Sequence, residues 1–222
     1  MLRCISFLAT IMLLITSCGP IITFNQPQPS WINNQKEFPL SLRGKFLCKE
    51  DSSLLSVDNK MVVHKYKQSS IIARMAIDTM EGVKLENGYI HGFNRIYNKP
   101  IPYINISKDS IKYFMENTDT LFKIARKNFL RKYKGAYYMN KKLYKRDWYV
   151  SRLQYNKQGQ LLLCEVSEKN DLPKLMAQNH VEEVKGDSSN ILIYRIKLNR
   201  SQFKSFVKDN GFSNIKTFTR TN

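Results

Sequence analysis

The sequence predicts a mainly β, α+β chain: an antiparallel β-rich domain with one or two short helices near its C-terminus. Three observations carry that expectation. From Leu40 onward, short apolar and β-branched runs recur between turn residues about every ten positions, the spacing of an antiparallel sheet, sandwich or barrel. Asn87-Gly88 lies between two such runs and is the strongest hairpin signal, because both residues tolerate positive φ. Roughly the last sixty residues add runs with helical spacing between the strands.

The elements follow in order. Residues 54–57 and 61–66 flank Asp58-Asn59-Lys60, and residues 83–86 and 89–93 flank Asn87-Gly88. Residues 111–115 and 121–124 flank a polar stretch at 116–120 that reads as a turn, and 148–155 and 160–166 flank a turn ending in Gly159. Tyr149, Leu153 and Tyr155 share one face at period two, the mark of a half-buried strand. Asp171 caps a short helix through Gln178, followed by strands at 180–184 and 191–198 around a turn at 186–190. A second helix spans 201–210, with Phe203, Phe206 and Val207 on one face and Gly211 as its stop. With strands before and after, residues 160–219 run strand, helix, strand, strand, helix, strand, a split βαβ arrangement.

Residues 1–17 read as a signal peptide: Arg3 gives a positive start, residues 4–15 are almost wholly apolar, and Thr16 and Ser17 are small. The apolar run is about a dozen residues, short of the roughly 20 that span a bilayer. Ile15-Thr16-Ser17-Cys18 closes it and resembles the lipobox of bacterial lipoproteins. That resemblance implies a diacylglycerol thioether on Cys18, cleavage before it and acylation of the new amino group. Two or three acyl chains tether a protein in practice permanently. Gly19, where an acidic residue would imply inner-membrane retention, leans the resemblance toward the outer membrane, facing the periplasm. Residues 18–39, with Pro20, Pro27, Pro29 and Pro39, read as a flexible tether that holds the domain roughly 25 Å from the lipid. Residues 40–222 form the globular domain, with two units at about 40–125 and 126–222 suggested by an echo between Arg43-Gly44-Lys45-Phe46 and Lys134-Gly135-Ala136-Tyr137. Residues 40–55 also resemble the opening of uncharacterised outer-membrane lipoproteins of the Bacteroidota, a similarity that brings no activity with it.

The chain carries 36 Lys and Arg against 18 Asp and Glu, a formal net charge of +18, and loss of residues 1–17 removes only Arg3 from that excess. Residues 121–157 hold twelve of these cations and one acid, Asp147. Within them Arg131, Lys132, Lys134, Lys141, Lys142, Lys145, Arg146 and Arg152 interleave with Tyr137 and Trp148, a candidate patch for an anionic ligand. The partners it suits are anionic lipid, lipopolysaccharide or peptidoglycan, or a partner protein; nucleic acid is the least available to an envelope protein. A solvated basic face is the plainer alternative.

Of the 4 cysteines, Cys4 leaves with the leader and Cys18 takes lipid, so Cys48 and Cys164 remain as a candidate disulfide or as two buried thiols in apolar runs. Asp78-Thr79-Met80, Asp109-Ser110-Ile111 and Asp119-Thr120-Leu121 resemble the triplet that Bacteroidota O-glycosylate on exported proteins, which would place sugar on Thr79, Ser110 and Thr120.

No catalytic pattern emerges. His64, His91 and His180 lie in strand-like runs without a nucleophile elbow, and Glu182-Glu183 on a strand would point to opposite faces. Neither metal-ligand spacing nor a phosphate loop occurs, so no metal and no cofactor is expected. The sequence therefore points to a non-enzymatic, membrane-tethered lipoprotein of the cell envelope. The alternatives are a periplasmic immunity or inhibitor lipoprotein, and an envelope hydrolase with an unrecognised site.

Overall fold

The computed structural model describes residues 20–93, 99–185 and 192–221. The expected leader, Cys18 and the expected turn at 186–190 lie outside the described residues. The chain divides into two compact units, the first holding residues 1–36, 124–156 and 162–216 and the second 37–123, 157–161 and 217–222. Among the described residues most of the structure is antiparallel β, with three short α-helices.

In chain order, β1 (Ile21–Phe24) and β2 (Asn34–Gln35) come first. The second unit then contributes β3 (Gly44–Leu47), β4 (Leu54–Val57), β5 (Met61–Ala73), α1 (Arg74–Asp78), β6 (Lys84–Glu86), β7 (Tyr89–His91), β8 (Ile101–Asn105) and β9 (Ser110–Lys123). There follow β10 (Phe129–Tyr133), β11 (Ala136–Tyr144), β12 (Asp147–Tyr155), β13 (Leu161–Glu165), α2 (Leu172–Ala177), β14 (Val181–Lys185), β15 (Leu192–Ile196), α3 (Arg200–Lys208) and β16 (Asn214–Arg220).

The second unit is an antiparallel ladder in the order β3, β4, β5, β9, β8, β7, β6. Asn87 and Gly88 close the β6–β7 hairpin with φ of 49° and 80°, the pair of positive values that a two-residue turn of this kind needs. The turn expected at 116–120 is absent: β9 runs straight through it and pairs along its length with β5. Polar residues there look like a turn in sequence but are matched across the ladder. Tyr66 donates to Asp119 at 2.9 Å, Asn117 donates to Gln68 at 3.2 Å, and Lys67 lies 3.7 Å from Glu116. Cross-strand polar pairs replace the buried face that a conventional strand would show. Past this ribbon, Ile77, Ile90, Ile101 and Ile111 form a small core with Ile72, Tyr103 and Tyr113.

In the first unit the ladder runs β14, β15, β1, β12, β13 and the start of β16, with β11, β10 and β2 built outward from β12. The element order over 160–219 is the expected one, but the split βαβ arrangement is opened. Strands β1 and β12 stand between β15 and β13, so segments from elsewhere in the chain complete the sheet. The expectation of a flexible tether over 18–39 is corrected by the same strands. Ile21 to Phe24 pair in parallel with Ile193 to Ile196, and Phe24 is 1% exposed. Further along, buried Asn140 accepts from Gln28 N–H and donates to Gln28 C=O at 2.8 Å, which fixes the proline-rich stretch to β11.

The core of this unit gathers Phe24, Tyr138, Val150, Cys164, Leu175, Ile196, Phe203 and Phe212. Helix α3 supplies Phe203, whose ring meets Tyr138 at 5.5 Å and Trp31 at 5.8 Å edge-on. Asn199 caps α3 through a complete capping box with Gln202, satisfying two of the amides that a helix start leaves open. At the other end the left-handed residue is Asn210 (φ 58°), not Gly211. Gly211 is needed there because any Cβ would collide with the Phe206 ring.

Candidate functional site

The basic segment folds as a meander of β10, β11 and β12. Tyr133 pairs with Ala136 across a turn in which Lys134 and Gly135 take φ of 48° and 77°. Successive residues of β11 point to opposite faces, yet residues 136–140 are all buried. Both faces of this strand are therefore covered, and Tyr137 and Tyr138 are core residues rather than a stacking platform.

The structure separates the cations into three groups. Arg131 and Arg152 serve the fold. Arg131 donates to the carbonyls of Pro27 and Pro29 at 2.8 Å each and to Asn34 Oδ1 at 2.9 Å, and burial pulls it below the usual arginine value. Arg152 is 7% exposed, with its guanidinium 5.5 Å over the Phe212 ring. Burial pushes the Tyr138 hydroxyl up to about 12 and raises the Cys164 thiol, and the charge of Arg152 opposes both shifts. Lys132 and Lys134 form the second group at the β10–β11 turn, each exposed over a tyrosine ring, Tyr137 at 5.4 Å and Tyr133 at 5.6 Å.

The third group stands at the opposite end of β11. Lys141, Lys142, Lys145 and Arg146 surround the β11–β12 turn. Lys142 Nζ lies 3.4 Å from the centroid of Trp148 and donates to the Lys145 carbonyl at 2.8 Å, so its head is held in place. Its backbone N–H donates to Asn128 Oδ1 at 3.0 Å, which brings in the bridged loop at Ala125 and Asn128 with exposed Arg126 and Lys127. Burial, and then the charge of Lys127, lower the Lys142 ammonium from its ordinary value, against a smaller opposing pull from Asp147. Arg126 and Lys127 belong to this cluster, although the aromatic interleaving in the sequence does not single them out.

Asp147, the one acid of residues 121–157, is drawn away from these lysines. Arg195 donates to it from Nε at 2.7 Å and from Nη2 at 3.0 Å, and Thr23 Oγ1 donates at 2.9 Å. Hydrogen bonding by Arg195, aided by Thr23, holds its carboxyl below the usual carboxylate range. Glu182 completes the network, 3.1 Å from Arg195 and 3.0 Å from Lys197.

The remaining sequence candidates lie apart. Cys48 and Cys164 are both buried and free, which corrects the candidate disulfide: each fills the apolar interior where its strand-like run placed it. Thr79 caps the end of α1 and donates to the Ala76 carbonyl at 2.9 Å. Ser110 opens β9 and lies 2.7 Å from Ser107 Oγ. Thr120, expected in a turn, is an exposed residue of the continuous strand β9.

His64 stacks on Tyr66 at 5.1 Å, His91 ends β7, and His180 lines a cleft of about 320 Å³ between α2 and α3. The carboxylates of that cleft are already bonded. Asp171 accepts from Ser167 N–H and Ser213 N–H, both at 2.8 Å, and Asp209 accepts from Ser205 at 3.0 Å.

The geometry defines a β-rich protein with a concentrated cationic end on its first unit. No protein-family model, no curated protein and no solved structure matches the chain.

Proposed function

We propose that the protein is a lipid-tethered, non-enzymatic component of a bacterial outer membrane, facing the periplasm, that binds a polyanionic envelope constituent through the β11–β12 end of its first unit. One observation carries the reading. Six cations (Arg126, Lys127, Lys141, Lys142, Lys145 and Arg146) crowd that end, while the acid beside them, Asp147, is neutralised by Arg195. Such a cluster repels itself unless an anion joins it, and it raises the local concentration of phosphate- or carboxylate-bearing polymers.

The anchor reading rests on the leader and Cys18. It gains a constraint from β1, because only Gly19 and Pro20 separate Cys18 from Ile21 and the connection spans about 10 Å at most. A chain lipidated at Cys18 would hold its sheet close against the bilayer.

The test has two parts. In cells, Cys18→Ser should move the protein out of the membrane fraction; unchanged fractionation would refute the anchor. In solution, the chain from residue 18 carrying Cys18→Ser should bind purified lipopolysaccharide with an affinity that falls steeply as salt rises. Lys145→Glu with Arg146→Glu should abolish that binding, and salt-independent binding would refute the electrostatic reading.

A further inference from the structure

The β11–β12 turn carries apolar groups where a purely ionic surface has no use for them. Tyr144 pairs with Asp147, so Lys145 and Arg146 form a two-residue turn, and the ladder shifts register between Lys142 and Tyr144. That bulge takes Leu143 out of the regular alternation. Leu143 is 36% exposed and Tyr144 55%, at the end of a strand whose residues 136–140 are all buried. The order Lys141-Lys142-Leu143-Tyr144-Lys145-Arg146 thus places an aliphatic and an amphipathic aromatic side chain at an exposed hairpin tip, with cations on both sides in the sequence.

We propose that this tip is a membrane-contact element that seats on an anionic phospholipid surface, Leu143 and Tyr144 entering the headgroup layer while the surrounding cations meet lipid phosphates. The proposal rests on the polyanion reading above and names its partner. Charge selects the bilayer over an apolar protein surface: four cations lie on the turn and its flanking residues, two more on the loop hydrogen-bonded to Lys142, and Asp147 is held by Arg195 and Thr23. The exposed apolar pair selects the bilayer over a dissolved polyanion, which offers phosphate but no hydrocarbon boundary. Tyrosine suits that boundary because its ring is apolar and its hydroxyl stays wet. Trp148 beneath Lys142 stiffens the base of the hairpin, so little ordering is left for the moment of contact.

The test uses the chain from residue 18, which contains every element described, with Cys18→Ser so that no lipid contributes. Sedimentation with phosphatidylcholine vesicles, with and without phosphatidylglycerol, is compared with binding to inorganic polyphosphate. Binding should require phosphatidylglycerol. Lys145→Gln with Arg146→Gln should weaken it about twenty-five-fold, roughly fivefold per cation near an anionic surface. The same charge loss at the opposite turn, Lys132→Gln with Lys134→Gln, should change it less than about twofold at about 0.1 M salt, because the 9 residues of β11 separate that turn from the tip by more than the Debye length of about 10 Å.

Leu143→Ser with Tyr144→Ser should weaken vesicle binding about tenfold or more and leave polyphosphate binding unchanged. If that apolar variant keeps full vesicle affinity, membrane seating is overturned while the polyanion reading stands. If the parent chain binds neither vesicles nor polyphosphate at low salt, both fall. Near-ultraviolet circular dichroism of each variant, sensitive to the buried tyrosines, separates lost binding from lost folding.

Discussion

Arg195 holds Asp147 at two points, Nε to Oδ1 at 2.7 Å and Nη2 to Oδ2 at 3.0 Å. The pair ties β15 to β12, and Thr23 adds β1 through its own bond to Oδ1. Charge-assisted, two-pronged contacts of this kind are the strong members of their class. Asp147 is 3% exposed and takes two of the three ionic hydrogen bonds of Arg195, so its removal would leave that guanidinium, 17% exposed, with Glu182 alone. Asp147→Ala should lower unfolding stability by about 3 kcal/mol. Urea denaturation measures this, and a loss under about 1 kcal/mol would place the pair with ordinary surface ion pairs.

The same network sets an acid response. Asp147 titrates below its ordinary value, chiefly through hydrogen bonding by Arg195, and Glu182 is lowered by Lys197 and then Arg195. A carboxylate depressed in the folded state stabilises fully above its unfolded value of about 4, and that contribution is lost as pH falls through the lower folded value. The stability gap between the parent and Asp147→Asn should therefore be constant from about pH 5 to 7 and narrow below about pH 4. A gap that stays constant into acid would show that Asp147 gains nothing from its charge.

Arg131 makes a prediction about the N-terminal stretch. Its three bonds pin Pro27, Pro29 and Asn34, where the composition alone reads as a loose tether. Arg131→Ala should cost about 2 kcal/mol, within the range for hydrogen bonds to charged groups. It should also open residues 25–36 to limited proteolysis while the rest of the chain resists. Cleavage there in the parent protein at the same rate would mean that the segment is not docked.

The two thiols can be counted. Cys48 and Cys164 are buried, and burial raises the Cys164 thiol further from its reactive form. With Cys18→Ser in the chain from residue 18, an alkylating reagent should add nothing to the native protein and two groups after denaturation without reductant. Absence of labelling in denaturant would mean that the two are joined.

Much of the fold is legible in the sequence wherever the signal is local. Asn87-Gly88 dictates its turn by backbone chemistry alone, and the apolar face of Phe203 and Phe206 suffices to predict α3. The 116–120 stretch misleads because turn-like residues also serve a two-stranded ribbon, provided the opposite strand carries matching polar groups. Strand β1 escapes notice because its pairing partners, Ile193 to Ile196, lie far along the chain and no short window contains both. The Lys134-Gly135 hairpin has a visible cue in its glycine. Its lysine hides the turn, since a non-glycine residue at positive φ is uncommon.

By itself the sequence determines the cation excess concentrated in residues 121–157, the β-rich class and the local turn and helix chemistry. Composition, spacing and backbone preference are properties of neighbouring residues and need no folded partner. Tertiary structure alone decides which of those cations are free. Alternation along β11 tells which side chains share a face, but not that both faces are covered. Long-range packing therefore turns Arg131 and Arg152 inward, takes Asp147 out of play through Arg195, and leaves Leu143 and Tyr144 exposed among the lysines at the tip.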